Sequence, residues 1–276
     1  MKKNQKSVGY LFMFLSAFCF SLTGIISSLL FKNGIKTYDL IIMQSIAQIL
    51  IIGTYYSFNK FKELKVSIED IKIIGLQGLF ASAPAAVFYY IAIKRTNVSI
   101  ACLLLFISPI FVTLYYVLFE KQQINSSKII AVITTFIGSI LVLNINPNNF
   151  TDVDIIGIFA GILSSISYAF YNIYADKKLK NYPSGTILFY CMIVVFVCIS
   201  IINIDFYTRL DQMNFKLLRY SIPLSSITSI LPVVFSYSGI KKIGAQTASI
   251  IATSEVPFTL ILSFFAILNP KWKRKE

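Results

Sequence analysis

The chain has no histidine. That excludes Ser-His-Asp and Cys-His nucleophilic machinery and every His-ligated metal site. Charge is also scarce. Only 13% of the 276 residues are charged, where a soluble domain carries about 25%. The four cysteines, Cys19, Cys102, Cys191 and Cys198, all fall inside apolar stretches and read as small core residues, not disulfide partners. There are no alternating strands of the ~10-residue kind that build a membrane β-barrel, and no rings of like charge that would line a channel. Asp176 and Asp205, at the edges of apolar runs, make a poor pair for an intramembrane hydrolase. An enzyme is therefore not expected, nor is a cofactor or a metal.

What the chain has instead is long apolar runs. Hydrophobic residues make up 56% of it, and a helix needs ~20 of them in a row to cross the ~30 Å hydrocarbon layer. Nine such runs stand at about 9–30, 38–58, 71–93, 97–119, 127–143, 155–175, 184–204, 220–240 and 245–268. The expected fold is an all-α integral membrane protein with nine transmembrane helices. The first run follows a basic "MKKNQKS" but is too long for the ~7–15-residue core of a cleaved signal, so it reads as a retained helix. The net charge of +13 fits membrane topology better than nucleic-acid binding, because cytoplasmic loops are enriched in Lys and Arg. With the N-terminus inside, 14 bases fall in cytoplasmic segments and 7 in outer loops. This predicts a multi-pass protein of the cell membrane with a cytoplasmic N-terminus.

One segment is written twice. "GYLFMFLSAFCFSLTGIISSLLFKN" (9–33) returns as "GIFAGILSSISYAFYNIYADKKLKN" (157–181), a shift of 157 − 9 = 148 residues. Both carry Leu-Ser at the seventh and eighth places, and both end in Lys-Asn. The same shift carries Leu40 onto Leu188, Pro84 onto Pro232, Tyr89 onto Tyr237 and Pro109 onto Pro257. The proline pairs weigh most, since a proline inside a helix removes a hydrogen bond and kinks it. Two copies of one helical unit follow, residues 1–146 (helices 1–5) and 147–276 (helices 6–9). Five crossings leave the second copy inverted, the arrangement of secondary transporters.

At this point the chain resembles the EamA-like branch of the drug/metabolite transporter superfamily. The resemblance rests on "ACLLLFISPIFVTLYYVLFEK" (101–121), on residues 157–181, and on "ASIIATSEVPFTLILSFFAIL" (248–268). Where family members often have Glu-Pro in the ninth helix, this chain has Glu255-Val256-Pro257. The likeness implies ten helices in two inverted five-helix repeats. It also implies outward movement of a small metabolite or amino-acid-like solute, often driven by protons.

Glu255 is the sharpest candidate for the substrate pathway. It is the eleventh residue of its run, ~15 Å into the membrane at 1.5 Å per residue, where an acid is a functional site by default. It is placed to carry a proton or to grip a cationic group. Gln44 and Gln48 share one face of helix two, and Tyr168 and Asn172 share one face of helix six. Such groups either bind a polar solute or bridge helices. Ser16, Thr23 and Ser27 form a weaker stripe, read chiefly as packing. Pro84, Pro232, Pro109 and Pro257 are read as helix bends. Gly157, Gly161 and Ser165 form a small-residue ladder that lets backbones approach. Glu120 and Lys121 close helix four, with Glu120 a family-implied gate or cap.

Shifted by 148, the fifth helix has no partner, because its copy would start near residue 275. This predicts a shortened family member, less stable than a ten-helix relative and with its ninth helix poorly inserted. The competing readings are a secondary transporter, a non-transporting membrane receptor or assembly partner, and an inactive truncated relative. The expected partners are the bilayer, a small solute, protons and a second copy in a homodimer. No nucleic acid is expected.

Overall fold

The computed structural model describes residues 3–123, 154–209 and 215–268, with short pieces between 126 and 137. Most of the predicted fifth crossing (127–143), the loop through Asn148, and the tail with Trp272 lie outside the described residues.

Among the described residues the fold is entirely helical. In chain order it comprises α1 (Lys3–Lys32), α2 (Thr37–Asn59), α3 (Phe61–Leu64), α4 (Ile68–Gln77), a π-helical stretch Gly78–Ser82, α5 (Ala83–Arg95), α6 (Val98–Leu105), α7 (Ser108–Leu118), α8 (Ile155–Lys178), α9 (Ser184–Ile202), α10 (Asp205–Thr208), α11 (Phe215–Ile243), α12 (Ala245–Ala252) and α13 (Glu255–Leu268). Six helical spans among the described residues are long and apolar enough to cross a membrane: Gln5–Lys32, Thr37–Asn59, Ile68–Arg95, Ile100–Leu118, Ile155–Lys178 and Ser184–Ile202. Large apolar side chains stand on their outer faces, among them Leu11 at 57% and Phe159 at 61% exposure, as expected where the surroundings are lipid.

Local chemistry sets the ends of these helices. After α1 the chain reverses at Gly34, whose φ of +87° is open to glycine at no steric cost. Ile35 N–H then donates to the Leu30 carbonyl at 3.1 Å, closing the helix end. Ser67 and Asp70 cap α4 reciprocally, each side chain accepting from the other's backbone N–H. Asn97 caps α6 by accepting from Ile100 N–H at 2.8 Å. Asp154 caps α8, with Oδ1 taking Ile156 N–H at 2.8 Å and Oδ2 paired with Arg95 at 2.6 Å. Gly244, at φ +78°, makes the turn from α11 into α12.

Two expected continuous helices are broken. The run 97–119 divides at Phe106 and Ile107, and the run 245–268 divides at Thr253 and Ser254. Proline is the cause in both, since it cannot donate to the carbonyl four residues back. Pro109 is the second residue of α7, and Pro257 the third of α13. Short i→i+3 bonds tighten each break: Ile110 N–H to Ile107 O at 2.9 Å, and Val256 N–H to Thr253 O at 3.1 Å.

α1 packs along α11, α5 along α8, and α2 along α9. The halves α6 and α7 lie on α8, and the halves α12 and α13 lie on α1. Glycine permits two of the closest approaches. A Cβ on Gly9 would stand 2.5 Å from Ile243 Cγ2 and 2.8 Å from Lys242 Cβ, and one on Gly157 would stand 2.6 Å from Thr96 Cγ2 and 2.9 Å from Arg95 Cβ.

Candidate functional site

The long helices line a half-open cavity of about 180 Å³. α1 contributes Phe20 and Thr23. α2 contributes Gln44, Ser45 and Gln48. α5 brings Tyr89 and Tyr90, α8 brings Ser164, Tyr168 and Tyr171, and α9 brings Met192 and Val195. Val233 of α11 and Glu255, the first residue of α13, complete the walls. The lining is apolar and aromatic with a few polar groups, the usual composition of a small-molecule site.

Glu255 reaches the cavity because of the break before it. Interrupting the run at Thr253 and Ser254 makes Glu255 the start of a new helix, where the positive end of the helix dipole favours a carboxylate. It is only 8% exposed, and among the described residues no Lys or Arg pairs with it. The hydroxyls of the break turn back on their own helix, with Ser254 Oγ donating to Ile251 O at 2.7 Å. Thr259 Oγ1 bonds the Glu255 backbone carbonyl at 2.8 Å, leaving the carboxylate to the cavity.

The two glutamines of α2 differ. Gln44 Oε1 accepts from the Tyr90 hydroxyl at 3.1 Å. Gln48 is 4% exposed, and its Oε1 has no partner. Tyr168 lines the cavity, but Asn172 does not. It is fully buried, and its Nδ2 donates to the Tyr168 carbonyl at 2.8 Å on its own helix. A spacing of four residues fixes a face, not whether the side chain turns outward or back onto the backbone. Of the α1 stripe, Ser16 and Thr23 bond α11, at Pro232 O (2.7 Å) and Thr228 O (2.9 Å). Pro84 follows the π-helical stretch, whereas α11 passes Pro232 unbroken. Gly161 lies against Leu104 of α6, and Ser165 Oγ bonds the Ile162 carbonyl at 2.9 Å.

Gln77 and Asp39 escaped the sequence reading. Gln77, fully buried, ties three helices by donating to Tyr171 O at 3.1 Å and to the Tyr237 hydroxyl at 3.3 Å. Away from the cavity, Glu120 pairs with Lys177 at 2.8 Å and Asp176 with Lys180 at 2.7 Å, and the Tyr116 hydroxyl donates to Asp176. Asp176 and Glu120 thus join α7 to the C-terminal end of α8. Asp39 accepts from Asn203 at 2.7 Å and pairs with Arg209 at 3.2 Å.

The profile of the EamA-like transporter family matches residues 7–144 and again residues 155–270. The chain belongs to the EamA-like transporter family. With its membrane-length helices, this EamA-like chain is a multi-pass membrane protein. It is similar to an uncharacterized transporter of Clostridium kluyveri, at 23% identity over 199 residues covering 70% of the chain, and the match spans 63% of that relative's length. It is also similar to the uncharacterized transporter YxxF of Bacillus subtilis, at 23% identity over 78% of the chain and 68% of the relative. A solved crystal structure shares the EamA-like fold at a TM-score of 0.73 and 11% identity, covering 95% of this chain and 89% of that one.

Proposed function

We propose that the protein is a secondary transporter that moves a small metabolite across the cell membrane by alternating access, with Glu255 as the coupling group. The observation that carries this reading is the buried Glu255 carboxyl group at the wall of a cavity between the helices, with no cationic side chain beside it among the described residues. A lone acid at membrane depth is costly and is retained where it binds an ion or a solute. Export is the direction the family resemblance implies.

The two-faced pathway rests on reading residues 1–146 and 147–276 as inverted copies. Several pairings support it. The 148-residue shift carries the α1–α11 contact onto the α8–α5 contact, and the close approach at Gly9 onto the one at Gly157. It carries Ser16, bonded to Pro232 O, onto Ser164, bonded at 3.0 Å to Ala85 O. Broken helices at corresponding places of two halves are also the usual mark of a transporter site.

Flux into and out of proteoliposomes, with and without a pH gradient, tests the transport reading on a panel of amines, amino acids and sugars. Gradient-dependent movement of one class is expected, and no movement of any would overturn it. Topology is tested separately, in a background without native cysteines. A cysteine at Asn59 should label only from the N-terminal, cytoplasmic side and one at Asn148 only from outside. Labelling of both from one side would rule out inversion.

A further inference from the structure

The cavity's free polar groups specify what can enter it. Among the described residues, Glu255 is an acid with no cation beside it, and Gln48 Oε1 is a buried acceptor without a donor. The Tyr90 hydroxyl already serves Gln44, and the Tyr89 hydroxyl is shared with the Cys102 thiol at 3.0 Å. Ser45 and Ser164 spend their hydroxyls on the carbonyls of Ile41 and Ala85. The Tyr171 hydroxyl is also without a partner, so a donor stands free as well, but the one acidic group among the described lining residues is Glu255. A cationic ligand with N–H donors matches it, and an ammonium group brings both. Tyrosine faces around it add cation–π attraction.

The same inventory argues against a carboxylate on the ligand. Among the described residues no Lys or Arg lines the cavity, and the helix N-terminus that opens onto it already carries Glu255. An incoming carboxylate would be desolvated beside another acid without a counter-charge, which strongly disfavours binding. Size narrows the class further. A cavity near 150 Å³ holds a benzene-sized molecule, so 180 Å³ suits a ligand of roughly ten non-hydrogen atoms. Met192, Val195 and Val233 offer it apolar walls.

We propose that the site takes a small alkyl- or arylalkyl-ammonium ion that lacks a carboxylate, with its N–H groups donated to Glu255 and Gln48. This rests on reading the cavity as the solute site.

The test is calorimetric titration of the purified full chain with phenethylamine, isopentylamine, phenylalanine and 2-phenylethanol. Phenethylamine, phenylalanine and 2-phenylethanol share one aromatic body and differ in charge. Both amines should bind, and phenylalanine and the alcohol should bind at least about tenfold more weakly. Glu255→Gln should weaken amine binding by about 100-fold and Gln48→Leu by about tenfold, while both variants keep the wild-type elution profile. Should Glu255→Gln fail to fold, Gln48→Leu and the ligand series still decide. Equal affinity for phenylalanine, or no binding of either amine, would overturn the assignment. Proteoliposome counterflow separates the two readings. If a zwitterion is carried in a Glu255-dependent way while amines are ignored, the ligand class falls and transport stands. If amines bind at Glu255 but no member of the panel crosses, the class stands and transport falls.

Discussion

Pro84 is preceded by the π-helical stretch Gly78–Ser82, whereas α11 runs through Pro232 in one piece. Each proline leaves the carbonyl four residues earlier without its usual donor. Before Pro84 the backbone slips register, and Ala83 N–H reaches back to Gly78 O. At Pro232 the register holds, and the stranded Thr228 carbonyl takes the Thr23 hydroxyl of α1 at 2.9 Å. The same covalent defect is absorbed once by the chain's own geometry and once by a side chain from another helix. The breaks at the two other prolines diverge too. The residue 148 positions before Glu255 is Ile107, so the first break is apolar and the second carries the acid.

Four tests would break or sharpen this contrast. The largest effect is expected at the acidic break. Glu255→Gln should cut gradient-driven flux at least about 100-fold, while Ile107→Val leaves it within about twofold, both read in proteoliposomes. Equal losses would mean that the two breaks share the chemistry. Next, Gly9→Ala and Gly157→Ala should each cost about 1–3 kcal/mol through overpacking, read from thermal unfolding in detergent. A large inequality between them would separate the two helix crossings. Smaller still, Thr23→Val should cost about 1 kcal/mol. That loss should shrink in a Pro232→Ala background, where a backbone N–H returns to Thr228, and a double-mutant cycle with no coupling would remove the proposed hydroxyl from its role.

The smallest effect lies at the α8 cap. The hydrogen bond from Arg95, helped by Ile156 N–H, holds the Asp154 carboxyl below the usual aspartate range. A folded-state value below the unfolded one gives stability that is present above about pH 4 and is lost as pH falls through the lower folded value. Melting temperature should therefore drop in that acid window for the native protein and less for Asp154→Asn. Parallel acid profiles would show that the pair adds nothing.

The class of fold and the buried position of Glu255 could be read from the sequence for one reason: lipid makes every charge inside a long apolar run conspicuous. Gly157 could be read from the small-residue ladder it forms with Gly161 and Ser165, whereas the close approach at Gly9 was not read. The breaks could not, because the apolar pattern continues across Phe106–Ile107 and Thr253–Ser254 and marks only the prolines. Gln77 stayed invisible because a single amide carries no periodicity, and its partners lie on helices remote in sequence. Asn172 had the right spacing but spends its amide on Tyr168, a choice that only the packing of neighbouring helices decides.

The partner of α1 is made late. Ser16 and Thr23 wait for carbonyls 216 and 205 residues further along the chain. At about 5–20 residues per second of synthesis, the first helix spends roughly 10–40 s in the bilayer before α11 exists. Through that interval its hydroxyls have only their own backbone or water to bond. The newborn protein therefore passes through a stage in which its first helix has only its few contacts with the first half, such as Phe31 against Tyr90 of α5, and stands open to capture by insertion chaperones or membrane proteases until the second half arrives.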